Sequence, residues 1–251
     1  MKYQIKQLGL GGILDQAISL LKNHFGLLFG IVAMTIIPFM SILGLVQVSI
    51  MAGGDLQTGM IIGLIGNLFF IYVLTPLVNA AVIHAVASAY LSRPTTLGQC
   101  FSHASQRFLA LLGTSILMGL AIVGGVLLCV VPGILFALWF MLAQHVAVLE
   151  GSSGSAALGR SKALMQGNVG TGFVLGLVIL IINFGIVLGA GIIPQPHTRV
   201  VAVALAQGIG TLLATCSFVV FYFSCRCKAE NFDLQVLADA VSTDADVQPV
   251  E

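Results

Sequence analysis

Apolar residues run along this chain in long blocks, and polar ones gather in short seams between them. The stretches 26–51, 60–90 and 200–223 each exceed the about 20 residues that a helix needs to cross a bilayer. The pattern predicts six membrane-spanning helices, at about 25–51, 60–91, 108–131, 134–149, 169–193 and 200–222. Pro38 and Pro76 fall inside the first two, where neighbouring groups can re-satisfy the freed carbonyl and a kink is expected. Pro132-Gly133 predicts the turn between the third and fourth spans.

Shorter segments at 12–22, 96–107 and 155–166 precede the first, third and fifth spans. In the first, helical spacing puts Leu14, Ala17, Ile18 and Leu21 on one face and Asp15, Gln16, Ser19 and Lys22 mostly on the other. Such a helix suits the membrane interface. Thr96, two residues after Pro94, is placed as the N-cap of the second. Leu14, Leu97 and Leu158 hold equivalent places, followed by Asp15, Gly98 and Gly159, and Phe25, Phe108 and Val169 open the spans. The repeating unit is an interfacial helix plus a helical hairpin, used three times in one orientation, unlike the inverted repeats of transporters.

The expected fold is therefore all-α: an integral membrane helical bundle of six transmembrane helices with three interfacial amphipathic helices in three repeated units. Residues 1–230 form the multi-pass membrane domain. Residues 231–251, with Asp233, Asp239, Asp244, Asp246 and Glu251, form an acidic cytoplasmic tail.

Composition sharpens this. Of 251 residues, 58% are hydrophobic and 8% charged, against roughly 25% charged in a soluble domain. No segment is left for a separate water-soluble core. A net charge of +1 gives no reason to expect nucleic acid. Lys2, Lys6, Lys22, Arg93, Arg107, Arg160, Lys162, Arg226 and Lys228 fall on the N-terminal side of the six-span arrangement, and Arg199 alone on the other. This bias places both termini in the cytoplasm. Asp15 and Lys22 interrupt the first apolar stretch, so no cleaved signal peptide is expected.

The candidate chemistry is sparse. Cys100, Cys129, Cys216, Cys225 and Cys227 include no CxxC pair, which speaks against a zinc site or disulfide framework. Cys225 and Cys227 flank Arg226 and read as small residues at a helix end rather than as lipidation or metal sites. The polar residues inside spans are Asn67, Asn79, His84, Gln144, His145, Asn183 and Gln207, with no Asp, Glu, Lys or Arg deep in any span. An ion-coupled carrier normally needs such an ionisable group. His84 and His145 sit at matched depth and are the candidates for haem or metal ligation; hydrogen bonding between helices is their commoner use. No metal and no cofactor is expected.

Catalytic motifs (GxSxG, HExxH, a Walker loop, paired carboxylates) are absent from the sequence, so no catalytic residue is assigned. Gly151-Ser152-Ser153-Gly154-Ser155 reads as a flexible lead into the third interfacial helix. The pairs Gly26/Gly30, Gly172/Gly176 and Gly185/Gly189 have the spacing that lets helix backbones approach closely. Trp139 and Tyr222 read as membrane anchors or packing residues. Glu150, delivered to the membrane boundary by the fourth span, is expected to form a structural ion pair with Arg160 or, failing that, Lys162. A guanidinium binds a carboxylate bidentately and stays protonated. The alternative use of Arg160 and Lys162 is to hold anionic lipid headgroups.

Pro132-Gly133-Ile134 opens the fourth span and Val148-Leu149-Glu150-Gly151 closes it; Ala157-Leu158-Gly159-Arg160-Ser161-Lys162-Ala163-Leu164 and Gly167-Asn168 follow. With Gly12-Ile13-Leu14-Asp15-Gln16-Ala17, these motifs resemble a family of bacterial six-span membrane proteins. The family comprises the membrane domain attached to some glycerophosphoryl diester phosphodiesterases and its stand-alone YciC-like relatives. The resemblance covers most of residues 9–228 and implies that architecture and a bacterial cytoplasmic (inner) membrane. In that family the phosphodiesterase activity belongs to a separate soluble barrel, which this chain lacks.

Function is expected to be non-enzymatic: a scaffold or accessory subunit of a membrane complex, packed against membrane lipids, another membrane protein or a second copy as homo-oligomer. The alternative is a transporter or channel for a small or amphipathic, lipid-like molecule, with Asn67, Asn79 and Asn183 lining a cavity beside kinked spans. A haem-binding subunit using His84 and His145 is the third. A polar cavity at mid-membrane would favour transport, and a dry bundle would remove it.

Overall fold

A computed structural model describes residues 6–91 and 93–234; most of the acidic segment 231–251, and Lys2, lie outside the described residues. The chain is an all-α bundle, with no strand among the described residues. Its helices are α1 (Leu10–Asn23), α2 (Phe25–Ala52), α3 (Leu56–Phe69), α4 (Thr75–Tyr90), α5 (Leu97–Gln106), α6 (Phe108–Leu128), α7 (Val130–Trp139), α8 (Ala143–Leu149), α9 (Gly154–Met165), α10 (Val169–Gly191) and α11 (Pro196–Glu230). Among the described residues, six units are long and apolar enough to cross a membrane: α2, α3 through α4, α6, α7 through α8, α10 and α11. This is the architecture of a multi-pass membrane protein. Large apolar side chains such as Leu109, Leu127, Leu180 and Phe184 cover its outside, as lipid-facing helices require.

The segment leading into α1 meets the last turns of α4 and α11 at one end of the bundle. The Leu8 amide donates to Ser224 Oγ at 2.9 Å, and Tyr90 at the foot of α4 donates its hydroxyl to Gln16 of α1 at 2.9 Å. α1 buries Ile13, Ala17 and Leu20, whereas Ile18 is 43% exposed. The apolar stripe is thus centred one step around the helix from the face that spacing alone picks. α5 begins on a reciprocal cap: Thr96 Oγ1 accepts from the Gln99 amide and Gln99 Oε1 accepts from the Thr96 amide, satisfying two otherwise orphaned donors.

The sixth span is longer than the apolar pattern implies, running to Glu230 rather than to 222. Its 35 residues extend about 52 Å, well beyond a hydrocarbon core of about 30 Å. The excess carries Arg226, Lys228 and Glu230 beyond the apolar zone, and polar residues there end the apolar run without ending the helix.

Proline shapes two spans differently from a simple kink. Ahead of Pro76 the second span widens into a π-turn over Phe70–Leu74, and Thr75 Oγ1 donates to the Phe70 carbonyl at 2.9 Å. The wide turn absorbs the hydrogen bond that proline cannot make and offsets the register of α4 beyond it. Pro132 is not in the turn between spans three and four. The chain reverses at Cys129, in extended conformation (φ −172°, ψ 151°). Pro132 occupies the first turn of α7, where a missing N–H costs nothing. Gly133 instead packs: a β-carbon on Gly125 of α6 would stand 3.0 Å from the Gly133 Cα.

Of the predicted glycine pairs, Gly172 and Gly176 meet Met165 and Met141 closely, while Gly26, Gly185 and Gly189 face open space. A glycine-lined seam runs between α2 and α3. A β-carbon on Gly59 would sit 2.6 Å from Met51, one on Gly63 would sit 2.5 Å from the Gln47 amide, and Gly66 takes Leu43. Their spacing of four and then three residues makes a groove that the facing helix fills.

The fourth span is broken between Trp139 and Ala143. Ser161 of α9, fully buried, mends the break: the Leu142 amide donates to Ser161 Oγ at 3.2 Å, and Ser161 Oγ donates to the Trp139 carbonyl at 2.7 Å. At its start α9 donates the Gly154 amide to Thr114 Oγ1 of α6 at 2.8 Å. Gly154 and Gly151 are in the left-handed region (φ 59° and 77°), so the glycine-rich lead is a shaped connection. The break contains no proline, and its freed backbone groups depend on one hydroxyl. Ser161→Ala is expected to lower stability by about 1–3 kcal/mol, the cost of stranding buried backbone groups. Denaturation of the purified protein measures this, and an unchanged midpoint would show that the break needs no side-chain partner.

Candidate functional site

Two polar constellations stand out: a charged cluster beside the last turns of α11, and a cavity among the spans. The cluster gathers the last turn of the fourth span, α9 and the end of α11. Arg160 Nε donates to Glu150 Oε2 at 2.8 Å and its Nη2 to Glu150 Oε1 at 3.2 Å, a bidentate fork. The same Nη2 reaches Glu230. Arg226 donates to Glu230 Oε2 at 3.1 Å and lies 4.0 Å from Glu150. Tyr222, fully buried, donates its hydroxyl to Glu150 Oε1 at 2.8 Å. Two arginines face two glutamates, so the cluster is charge-balanced.

The hydrogen bond to Glu150 is the main reason that the Arg160 guanidinium holds its proton more tightly than usual; burial opposes this and Glu230 reinforces it. Arg160 thus stays charged at any accessible pH. Lys162 takes no part: its ammonium lies 4.3 Å over the Trp139 ring. Lys228 donates to the Gly167 carbonyl at 2.9 Å and to Asn168 Oδ1 at 3.0 Å. Arg107 donates to the Ala147 carbonyl at 3.4 Å, in space that exists because Gly151 has no side chain. These cations are engaged by the protein, and the cluster reads as a clasp.

Sequence reasoning missed Tyr222, Arg226 and Glu230 as partners. Their spacing of four residues puts all three on one face of a helix, a signal that the chain does carry.

The cavity, about 450 Å³, lies between spans two to six. Its polar lining is Thr75 and Asn79 of α4, Gln144 and His145 of α8, Asn183 of α10, and Thr211 and Thr215 of α11; Met118, Met141 and Phe218 are among the apolar residues. By helix rise Asn79 lies about 16 Å from the end of α4, and Asn183 about 21 Å from the start of α10, both near mid-membrane. Asn79 Nδ2 donates to Gln144 Oε1 at 3.4 Å, and Gln144 Nε2 donates to Ser115 Oγ at 3.1 Å. Ser115 in turn donates to the Leu111 carbonyl, so three spans share one hydrogen-bonded chain. Asn183 donates to the Ile179 carbonyl at 2.9 Å, and its side-chain oxygen fills the place that Gly210 leaves empty.

His145 is 7% exposed, and neither ring nitrogen has a hydrogen-bond partner among the described residues. Its ring meets the edge of Phe218, with centroids 6.2 Å apart. Buried polar atoms are nearly always paired, so a hydrogen-bonding occupant of the cavity would complete this residue.

His145 and His84 line different cavities, and His84 stacks on His103 at 4.4 Å. The two candidate haem or metal ligands therefore do not converge on one site. No group of three or more His, Cys, Asp or Glu side chains able to hold a metal ion occurs among the described residues. Cys225 and Cys227 are buried in α11, and Asn67 is spent on the Gly63 carbonyl at 2.8 Å.

A family model described as "Domain of unknown function (DUF8558)" matches residues 104–247, and the chain belongs to that family. No curated protein and no solved structure matches it.

The clasp makes a measurable claim. Glu150→Ala should leave membrane insertion intact and lower stability by about 1–3 kcal/mol, because it leaves the buried Tyr222 hydroxyl without its acceptor and takes from Arg160 its bidentate partner, leaving only Glu230 to face two arginines. A double-mutant cycle with Arg160→Ala should give a coupling of about 0.5–3 kcal/mol. Strict additivity would mean that the contact contributes nothing.

Proposed function

We propose that this DUF8558 member admits a small, uncharged, hydrogen-bonding molecule, or the polar part of an amphipathic one, to its mid-membrane cavity and conducts it across the bilayer. The observation that carries this reading is the unpartnered, buried His145 facing a cavity of about 450 Å³. The lining offers amides, hydroxyls and an imidazole but no carboxylate, lysine or arginine. Such a surface rewards hydrogen bonding and leaves an ion's charge uncompensated, so a neutral guest fits. The reading is non-enzymatic.

Several placements belong to the same proposal. α1, α5 and α9 lie along the cytoplasmic interface, with both termini on that side, supported by nine basic residues against Arg199 alone. A bacterial inner membrane, and kinship with the phosphodiesterase membrane domain and its YciC-like relatives, rest on the motifs around Glu150 and Gly12. Association with a membrane partner or a second copy is compatible with the cavity, but the cavity is what argues for transport over scaffolding.

Proteoliposomes test this in two arms. Stopped-flow swelling with glycerol or erythritol reads passage of small neutral solutes, and dithionite quenching of a fluorescent phospholipid reads passage of an amphipath. The wild-type protein should accelerate one of them, and Asn79→Leu or Asn183→Leu should cut the gain about tenfold, the scale of one lost hydrogen bond of about 1.4 kcal/mol. If the wild-type protein accelerates neither, transport falls and the accessory-subunit reading takes its place.

A further inference from the structure

A second site lies beside the last turns of α4 and α11. Two adjoining cavities, of about 340 and 450 Å³, share His84, Ser88, Arg93 and His103 in their walls. The fold builds this corner from the last turns of α4, the connection into α5, and α5 itself. The Arg93 amide donates to the Ser88 carbonyl at 2.8 Å, turning the chain so that the arginine sits over the cavities. The His84 and His103 rings stack with centroids 4.4 Å apart. His103 Nε2 lies 3.4 Å from the Val148 carbonyl, which fixes its ring, while the buried His84 Nδ1 has no partner among the described residues.

The charge here differs from that of the clasp. Among the described residues, no aspartate or glutamate side chain lines either cavity. Arg226 reaches one wall but is held by Glu230 and the Phe232 ring. Arg93 pairs with no carboxylate among the described residues, unlike Arg160 and Arg226. Gln99, Ser102 and Gln106, along one side of α5, add amide and hydroxyl groups to the outer cavity. An uncompensated guanidinium, two imidazoles, hydroxyls and side-chain amides together form a surface for a tetrahedral oxyanion.

We infer that the corner formed by His84, Ser88, Arg93 and His103 binds a phosphate group. This site is separate from the mid-membrane cavity and independent of the transport reading. The phosphate can come from a lipid headgroup at the membrane surface or from a soluble phosphate compound, since arginine recognises both through the same fork.

Purified protein distinguishes the sources. In neutral detergent, equilibrium dialysis with radiolabelled inorganic phosphate reports the soluble form. In nanodiscs of mixed phosphatidylglycerol and phosphatidylcholine, native mass spectrometry reports which lipid stays bound after release. Wild type should retain inorganic phosphate, phosphatidylglycerol over phosphatidylcholine, or both. Arg93→Gln, at an exposed position, and His103→Gln should each weaken retention at least tenfold while thermal midpoints stay close to wild type. Loss in the dialysis arm alone assigns a soluble phosphate, and loss in the lipid arm assigns a headgroup. Retention in neither arm, or retention that both variants keep, overturns the site.

Discussion

Lipid offers a polar group no partner, so every donor and acceptor inside the hydrocarbon zone must be satisfied by the protein itself. Much of this structure derives from that constraint. Thr35, Thr114, Ser115, Thr211, Thr215 and Ser217 each return a hydroxyl to a carbonyl one turn back, and Asn67 and Asn183 do the same with their amides. The π-turn before Pro76 and the Ser161 bridge across the broken fourth span answer the same demand for backbone groups. Among the described residues, Ser41 Oγ, His84 Nδ1 and both ring nitrogens of His145 are buried without a partner, and the two histidines each line a cavity. Unpaired imidazoles at concave, polar places are what binding sites look like in a bundle that otherwise leaves little unpaired.

The charged groups obey the constraint by leaving the apolar zone. α11 outlasts its apolar stretch and carries Arg226 and Glu230 to meet Glu150 and Arg160. Tyr222 links this clasp to the core beneath it, joining the fourth span, α9 and α11. Glu150 caps the C-terminal end of the short α8 helix whose first turns carry Gln144 and His145 to the cavity, so clasp and cavity share one element. Across the bundle, the glycines of α3 draw the first hairpin together, leaving the cavity to the later five spans.

The existence and order of the spans were legible because apolar length is a bulk property of the sequence. Helix ends were less so. Hydropathy stops α11 near 222, since it cannot see that Arg226 and Glu230 are paired. It also reads Pro132-Gly133 as the turn, whereas helix-start chemistry puts proline inside α7 and the reversal at Cys129. The pairing of Glu150 with Arg160 depends on nearness in sequence and on guanidinium geometry, which sequence conveys. Ser161 and the Gly210 vacancy that seats Asn183 come from tertiary contact and leave no local mark. His84 and His145 share a depth but not a direction, because equal distance along two helices says nothing about which way each side chain turns.

The central claim is that the inside of this bundle holds a hydrated polar cavity rather than a dry seam. Cysteine reactivity tests it most directly, in a background with all five native cysteines replaced. A thiol ionises and reacts only where water reaches it, so Asn183→Cys and Asn79→Cys should react with a small water-soluble thiol reagent. Leu180→Cys and Phe184→Cys, on the outer face of α10 where both residues are 64% exposed, should not react when lipid surrounds the protein. If positions 79 and 183 prove as inert as 180 and 184, the interior is dry and the account fails.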